Sequence, residues 1–264
     1  MLKDGAWTKH LHPGWAAHCG IIAALLAKRG FKGPSTIVEG RSGFLHAYSD
    51  GSDPGKFLAG LGDYFEIMRI SMKPHACCRY EQGPIDGILK IVKENKLKAQ
   101  EVEKVTLGIL KPAFPIIVEP EELKYNPRTA LDAQFSIPFG AAVAILHGRV
   151  SLDEYTADNL GSLEVKEMMD RVSCVRDPEL DKVYPKQWPA SVEIATKDGR
   201  RFSTRINYPK GDPENPLSWE ELIGKFDGLA SPVFPQDRRK EVISRVRSLH
   251  TEESICNVAS LLST

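Results

Sequence analysis

Three short stretches concentrate the side chains that could do chemistry. Thr8-Lys-His-Leu-His-Pro-Gly-Trp places Lys9, His10 and His12 just ahead of Pro13 and Gly14, where the pattern predicts the first turn of a helix. Free backbone N–H groups and the positive end of the helix dipole would then face the same space as three basic side chains, which makes an anion site. The small residues Gly14, Ala16 and Ala17 would let a ligand approach the backbone closely. The alternative is a solvated basic loop. A metal site is the weaker reading, because no acidic or cysteine ligand stands near the histidines.

The second stretch, Met72-Lys-Pro-His-Ala-Cys-Cys-Arg-Tyr, offers a point charge at Lys73 and a planar fork at Arg79. That pairing suits a substrate with more than one carboxylate. The alternative is that both cations sit in surface ion pairs and Cys77 and Cys78 fill core. In the third stretch, Tyr125 to Phe139, Gln134 and Ser136 are polar residues at the start of an apolar run. They either point at a ligand or satisfy backbone groups around Pro138, and Ser136 reads as the latter. No glycine-rich phosphate loop, nucleotide fingerprint, nucleophile elbow or zinc-helix motif occurs, so cofactor-dependent redox chemistry is not indicated.

The elements that must position these residues follow from periodicity and breakers. Trp15, Ile21, Ile22, Leu25 and Leu26 predict a buried helix over Pro13–Arg29, ended by Gly30, and Gly33-Pro-Ser-Thr predicts a second, short one. Phe65 to Met72 alternates at the strand period. Pro84 opens a helix that carries Ile85, Ile88, Leu89, Ile91 and Val92 along one side. Val102–Leu110 predicts another strand, and Ala130–Leu146 an apolar helix kinked at Pro138. Asp198-Gly199 between two alternating runs, 191–196 and 201–206, predicts a hairpin. Ser218-Trp-Glu-Glu reads as a capping box that launches helices to the end of the chain.

Composition bounds the function. The 264 residues carry 35 Lys plus Arg against 35 Asp plus Glu, so net charge steers the chain toward neither nucleic acid nor an anionic membrane. With 42% hydrophobic and 27% charged residues the chain is globular. The longest clean apolar stretch, Gly20 to Ala27, falls well short of the roughly 20 residues a membrane-spanning helix needs. The opening residues lack a secretory pattern. Five cysteines with a single vicinal pair suit reduced thiols in a cytoplasm.

The segments Asp4-Gly-Ala-Trp-Thr-Lys-His-Leu-His-Pro-Gly-Trp-Ala-Ala-His, Phe44-Leu-His-Ala-Tyr, Lys73-Pro-His-Ala-Cys-Cys-Arg-Tyr, and Tyr125-Asn-Pro-Arg-Thr with Ala133-Gln-Phe-Ser-Ile-Pro-Phe carry a family resemblance. In this order and spacing they resemble the MmgE/PrpD family, which includes 2-methylcitrate dehydratases, cis-aconitate decarboxylases and iminodisuccinate epimerases. The resemblance implies an α+β protein in which an all-helical domain, built from both ends of the chain, bears an inserted α+β lid. On this chain it divides into 1–62 as a remnant of the helical domain, 63–212 as the lid and 213–264 as helices returning to the helical domain.

It further implies a homodimer that acts without metal or organic cofactor on small di- or tricarboxylic acids. Lys9 and His12 would be catalytic from the helical side and Lys73 from the lid. Thr8, His10, Arg79, Gln134 and Phe139 would bind substrate. Phe139 stands where many members have tyrosine, and Gln82 where some have histidine. The reaction implied is a lyase reaction of the 2-methylcitrate dehydratase kind, with decarboxylation or epimerisation as alternatives. Complete members carry a long helical segment ahead of the first motif. A chain beginning here is therefore expected to meet an N-terminal helical partner, or to be an inactive fragment.

Overall fold

A computed structural model describes residues 8–51 and 53–263. The motif residues Asp4 to Trp7 and the side chain of His10 lie outside the described residues. The chain divides at Ile70 and Ser71 into two compact units.

In the first unit, helix α1 spans Thr8–Lys28 with Pro13 inside it. It starts earlier than the proline suggested. Lys9 and His12 therefore lie within the helix rather than ahead of it. Every side chain of α1 described is exposed, including Leu11, Trp15, Ile21 and Leu25, where the pattern predicted a buried helix. An apolar helix is buried only where other elements cover it, and among the described residues of this unit none does. Gly33-Pro-Ser-Thr leads into turns rather than a helix, and single helical turns follow at Phe44–Tyr48 and Pro54–Leu58. The alternating run from Phe65 forms a 3-10 turn over Glu66–Arg69 instead of a strand. Alternation makes a strand only where a neighbouring strand takes up its backbone groups, and all strands of the described residues lie beyond residue 101.

The second unit is built on a four-stranded sheet of order β2-β1-β3-β4, comprising β1 (Val102–Ile109), β2 (Val172–Arg176), β3 (Ala190–Thr196) and β4 (Arg201–Ile206). Strand β1 runs parallel to β2 and antiparallel to β3, and β3–β4 is the predicted hairpin with Gly199 at φ +87° in its turn. The parallel pair requires a crossover, which residues 110–171 supply.

One sheet face is covered. Helix α2 (Gln82–Asn95) packs on β3 and β4. Beside it lie α3 (Ala130–Ala133) and α4 (Ile137–His147), with α5 (Leu163–Met169) against α4. Alternate residues of β3, Val192 and Ile194 among them, are buried, as are Ile85, Ile88 and Ile91 of α2. The predicted kinked helix is two helices. Ser136 interrupts them as the N-cap of α4, its Oγ accepting from Phe139 N at 3.2 Å and donating to Lys124 O, so Pro138 sits in a first turn where its missing N–H costs nothing. After the hairpin, α6 (Trp219–Ala230) opens on the predicted capping box, with Glu221 N donating to Ser218 Oγ (3.2 Å) and Ser218 N to Glu221 Oε2 (2.7 Å). It is tied to α7 (Gln236–Arg247) by Arg239 and Asp227 at 2.8 Å.

Helix α2 lies so close to β3 that a Cβ at Gly87 would stand 2.6 Å from Val192 Cγ2. Gly87→Ala is expected to push the helix off the sheet and lower the unfolding free energy by about 1–3 kcal/mol in a urea titration, the usual cost of overpacking.

Candidate functional site

Lys73 lies on a loop, residues 71–78, that has no regular structure and is fixed at almost every step. Met72 N donates to Gly211 O (2.8 Å), Ala76 N to Val150 O (3.1 Å) and Cys78 N to Gln134 O (2.9 Å). The fully buried amide of Gln82, in the first turn of α2, closes the loop from inside. Its Oε1 accepts from His75 N (3.1 Å), and its Nε2 donates toward His75 O (3.3 Å), Cys77 Sγ (3.1 Å) and Cys78 O (3.2 Å).

The outer side of this loop forms one wall of a groove. The turn after α4, Gly148–Asp153, and helix α6 form the others. Two adjoining cavities of about 430 and 710 Å³ share Pro74, His75, Arg149, Ser151 and Lys225 in their walls. The smaller is lined by Lys73 as well, and Gly224 and Gly228 of α6 open it. Lys73 Nζ donates to Cys77 O at 2.8 Å and Lys225 Nζ to Lys73 O, so each ammonium leans on a carbonyl, and neither is in a salt bridge with a carboxylate among the described residues. Burial, with Lys73 nearby, pulls the Lys225 ammonium below its ordinary value. Two like charges held together without a carboxylate between them make a place for an anion. Arg149, in contrast, is engaged by Glu154 (2.7 Å) and Asp153 (3.5 Å).

In the larger cavity His75 Nε2 meets Asp86 Oδ1 at 2.9 Å, and Asp86 Oδ2 accepts from Lys210 N at 2.6 Å. This histidine and aspartate lie eleven residues apart. His75 stands inside a motif already singled out by its cations, and Asp86 one turn into the following helix faces back toward it. Lys225 and Arg149 carried no signal at all, since nothing in the chain connects residues 73, 149 and 225 until the loop, the turn and α6 converge.

The remaining expected site residues are placed as follows. Thr8, Lys9 and His12 are exposed on α1 in the first unit. In the second unit, the guanidinium of Arg79 is taken up by Asp212 (2.5 Å), which is itself buried, and lies over the Trp188 ring at 4.9 Å. Gln134 caps the end of α3 and gives its carbonyl to Cys78. Phe139 is 1% exposed, with its ring 5.5 Å from that of Tyr155. The two cysteines are core, and burial raises the Cys77 thiol well above its ordinary value, which keeps it unreactive.

On the core side of the loop stands Glu81, fully buried, with neither oxygen in a hydrogen bond of good geometry. Burial pushes its carboxyl well above the ordinary carboxylate range, and Lys124, the Cys77 thiol and Lys73 pull it only part of the way back. Lys124 is spent on the carbonyls of Ile116 (2.6 Å) and Phe135 (2.8 Å). No residue of the sequence foretold a buried acid here, because Glu81 follows Arg79-Tyr80 in a stretch that reads as exposed.

Two family models match the chain: the MmgE/PrpD N-terminal domain over residues 1–56 and the MmgE/PrpD C-terminal domain over residues 75–250. Similar curated proteins include a cis-aconitate decarboxylase-like protein of Aspergillus oryzae, 26% identical over 97% of this chain and 55% of that protein. The cis-aconitate decarboxylase of Mus musculus is 25% identical over 97% of this chain and 52% of its own length. A mitochondrial 2-methylcitrate dehydratase of Yarrowia lipolytica is 23% identical over 88% of this chain and 45% of its own. The chain spans about half the length of the curated relatives it matches.

The folded chain holds the Glu81 proton more tightly than the unfolded chain does, whose carboxyl titrates near 4.5. The stability this contributes is present below that value and lost as pH rises through the folded group's higher one. Glu81→Met, which removes the buried carboxyl, is expected to raise the unfolding free energy by about 1–3 kcal/mol in mildly alkaline buffer. The gain should shrink in acid, as read by urea denaturation across the pH range.

Proposed function

Because the chain belongs to the MmgE/PrpD family, we propose that its groove holds a small di- or tricarboxylate and that the protein acts as a carbon lyase on it. The observation that carries this reading is the pair Lys73 and Lys225, two lysines that line the same cavity and whose ammonium groups are bonded to carbonyls, with no carboxylate partner among the described residues. A carboxylate placed between them would relieve their repulsion and accept from both. In such a site the same two cations offset charge that develops when a bond next to a carboxylate breaks and leaves its electron pair on carbon, where each preorganised donor is worth a few kcal/mol.

Decarboxylation is the form best supported, because relatives bearing the name cis-aconitate decarboxylase match nearly the whole of this chain. In that reaction the bond from carbon to a carboxylate breaks, carbon dioxide leaves, and the electron pair is delocalised toward the remaining carboxylate before a proton is added. Dehydration is the second reading, favoured by the similarity to a 2-methylcitrate dehydratase. It begins instead by removing a proton beside a carboxylate, after which a β-hydroxyl leaves as water. Lys9 and His12, on the first unit, are proposed to be carboxylate-handling residues as well.

The test is to incubate the purified chain with cis-aconitate and, separately, 2-methylcitrate, following carbon dioxide release and alkene absorbance. Carbon dioxide from cis-aconitate is expected. A new alkene from 2-methylcitrate without gas would move the reading to dehydration. Lys225→Ala is expected to weaken binding of the tricarboxylate about tenfold or more by calorimetry, the scale of one charge-assisted hydrogen bond. A chain that neither binds nor converts any of these acids would overturn the proposal.

A further inference from the structure

The groove needs a group that gives or takes a proton as well as cations that hold an anion. Lys73 and Lys225 are assigned to holding the anion, as each is bonded to a carbonyl in the groove wall. Glu81 and Tyr155 are shut away in the core, and Cys77 is kept as a thiol by burial. Gln82, which some members of the family replace with histidine, is an amide with no proton to exchange near neutrality. Its bonds are all spent on the loop.

We propose that His75 is the proton-carrying residue of the groove, with Asp86 and Gln82 as its positioning residues. His75 is held more completely than a surface histidine requires. Its backbone N–H and carbonyl are both engaged by the buried Gln82 amide, at 3.1 and 3.3 Å. Its ring is held through Nε2 by Asp86 at 2.9 Å, and Asp86 is itself anchored by the Lys210 N–H at 2.6 Å. A carboxylate on Nε2 fixes the hydrogen there in the neutral ring and leaves the lone pair on Nδ1. His75 is also the titratable residue common to the walls of both cavities that has an exchangeable proton near neutrality, the other shared charged residues being Arg149 and Lys225.

The charged groups around it come from every side of the groove. From α2 there are Asp86, Lys90 and Lys93, from α6 Glu221 and Lys225, and from the intervening segments Lys73, Arg149 and Lys210. Glu221 is answered by Lys210 at 3.0 Å, and Arg149 by Glu154 and by Asp153 of the smaller cavity's wall, which leaves Lys73 and Lys225 without a carboxylate partner among the described residues while Asp86 meets the ring itself. An anion seated against Lys73 and Lys225 adds negative charge to the groove that His75 lines, which favours the protonated ring, so that His75 takes up a proton when the carboxylate arrives and has it to deliver to a carbanion left by decarboxylation. In a dehydration the same nitrogen would begin neutral and accept the proton from carbon, which makes the protonation state a discriminator between the two reactions.

This inference rests on the carboxylate reading of the groove, and the experiment separates the two. Citrate is titrated into the full chain by calorimetry in mildly alkaline phosphate and in Tris, whose ionisation heats differ, so that proton uptake on binding is read directly. Uptake approaching one proton is expected for the unaltered chain, as linkage requires for a single group driven from neutral to charged. His75→Gln is expected to abolish the uptake while weakening binding less than Lys225→Ala does. Asp86→Asn is expected to reduce the uptake with the imidazole still present.

In the unaltered chain, the ring resonances of a single histidine among seven should move on adding citrate, and that signal should be missing from His75→Gln. Citrate binding that depends on Lys225 but shows the same proton uptake in His75→Gln overturns the role of His75 and leaves the groove standing. No citrate binding by the unaltered chain overturns the groove, and His75 with it.

Discussion

The side chain of one buried glutamine holds together what the rest of the site needs. Residues 71–78 follow no repeating backbone path, and a segment of that kind has no ladder of its own to satisfy its polar groups. Gln82 satisfies several of them from a position inside the first turn of α2, touching His75, Cys77 and Cys78 at once. Backbone bonds from Gly211, Val150 and Gln134 hold the other side. A buried amide with every donor and acceptor used confers rigidity, whereas one left half satisfied would cost more than an apolar residue. The position of Lys73 and the orientation of His75 both inherit their definition from this clasp.

The groove in front of that loop is assembled against its own electrostatics. Bringing the Lys225 ammonium to the Lys73 carbonyl partly buries it, and burial first, with the nearby Lys73 charge second, lowers its proton affinity. The sheet and its helices supply the stability that lets such a pair persist, as sites of function commonly require. Glu81 is a second instance on the core side of the same loop, where burial raises the proton affinity of a carboxyl and Lys124, the Cys77 thiol and Lys73 only partly oppose it. Its Oε2 would meet a Cβ at Gly140 at 3.1 Å, so the glycine in α4 is what lets helix and acid share the space.

Much of the second unit was legible in the residues. The hairpin over 191–206, the strand from Val102, the helix around Pro84 and the capping box at Ser218 all stand where local chemistry placed them, because each is specified by neighbours in sequence. Three readings failed for a common reason. Phe65–Met72 alternates but finds no strand to pair with. The helix through Pro138 is divided by a serine that caps better than it propagates. The helix of the first unit begins at Thr8 and carries its apolar side chains exposed. In each case the outcome hung on what lay beside the segment, which periodicity does not contain.

The motifs by themselves determined the family and marked Lys73, Arg79 and their neighbourhood as the place for carboxylate chemistry, because cationic side chains at fixed spacing are a local property. Only the tertiary structure decided how those cations are used. It withdrew Arg79 into an ion pair with Asp212 and a stack on Trp188, and it gave Lys73 a second ammonium from a helix some 150 residues away. It also paired His75 with Asp86. The physical reason is that charge acts through distance, and distances between residues far apart in the chain are set by the packing of the sheet, the crossover and α6, to which no single stretch of sequence has access.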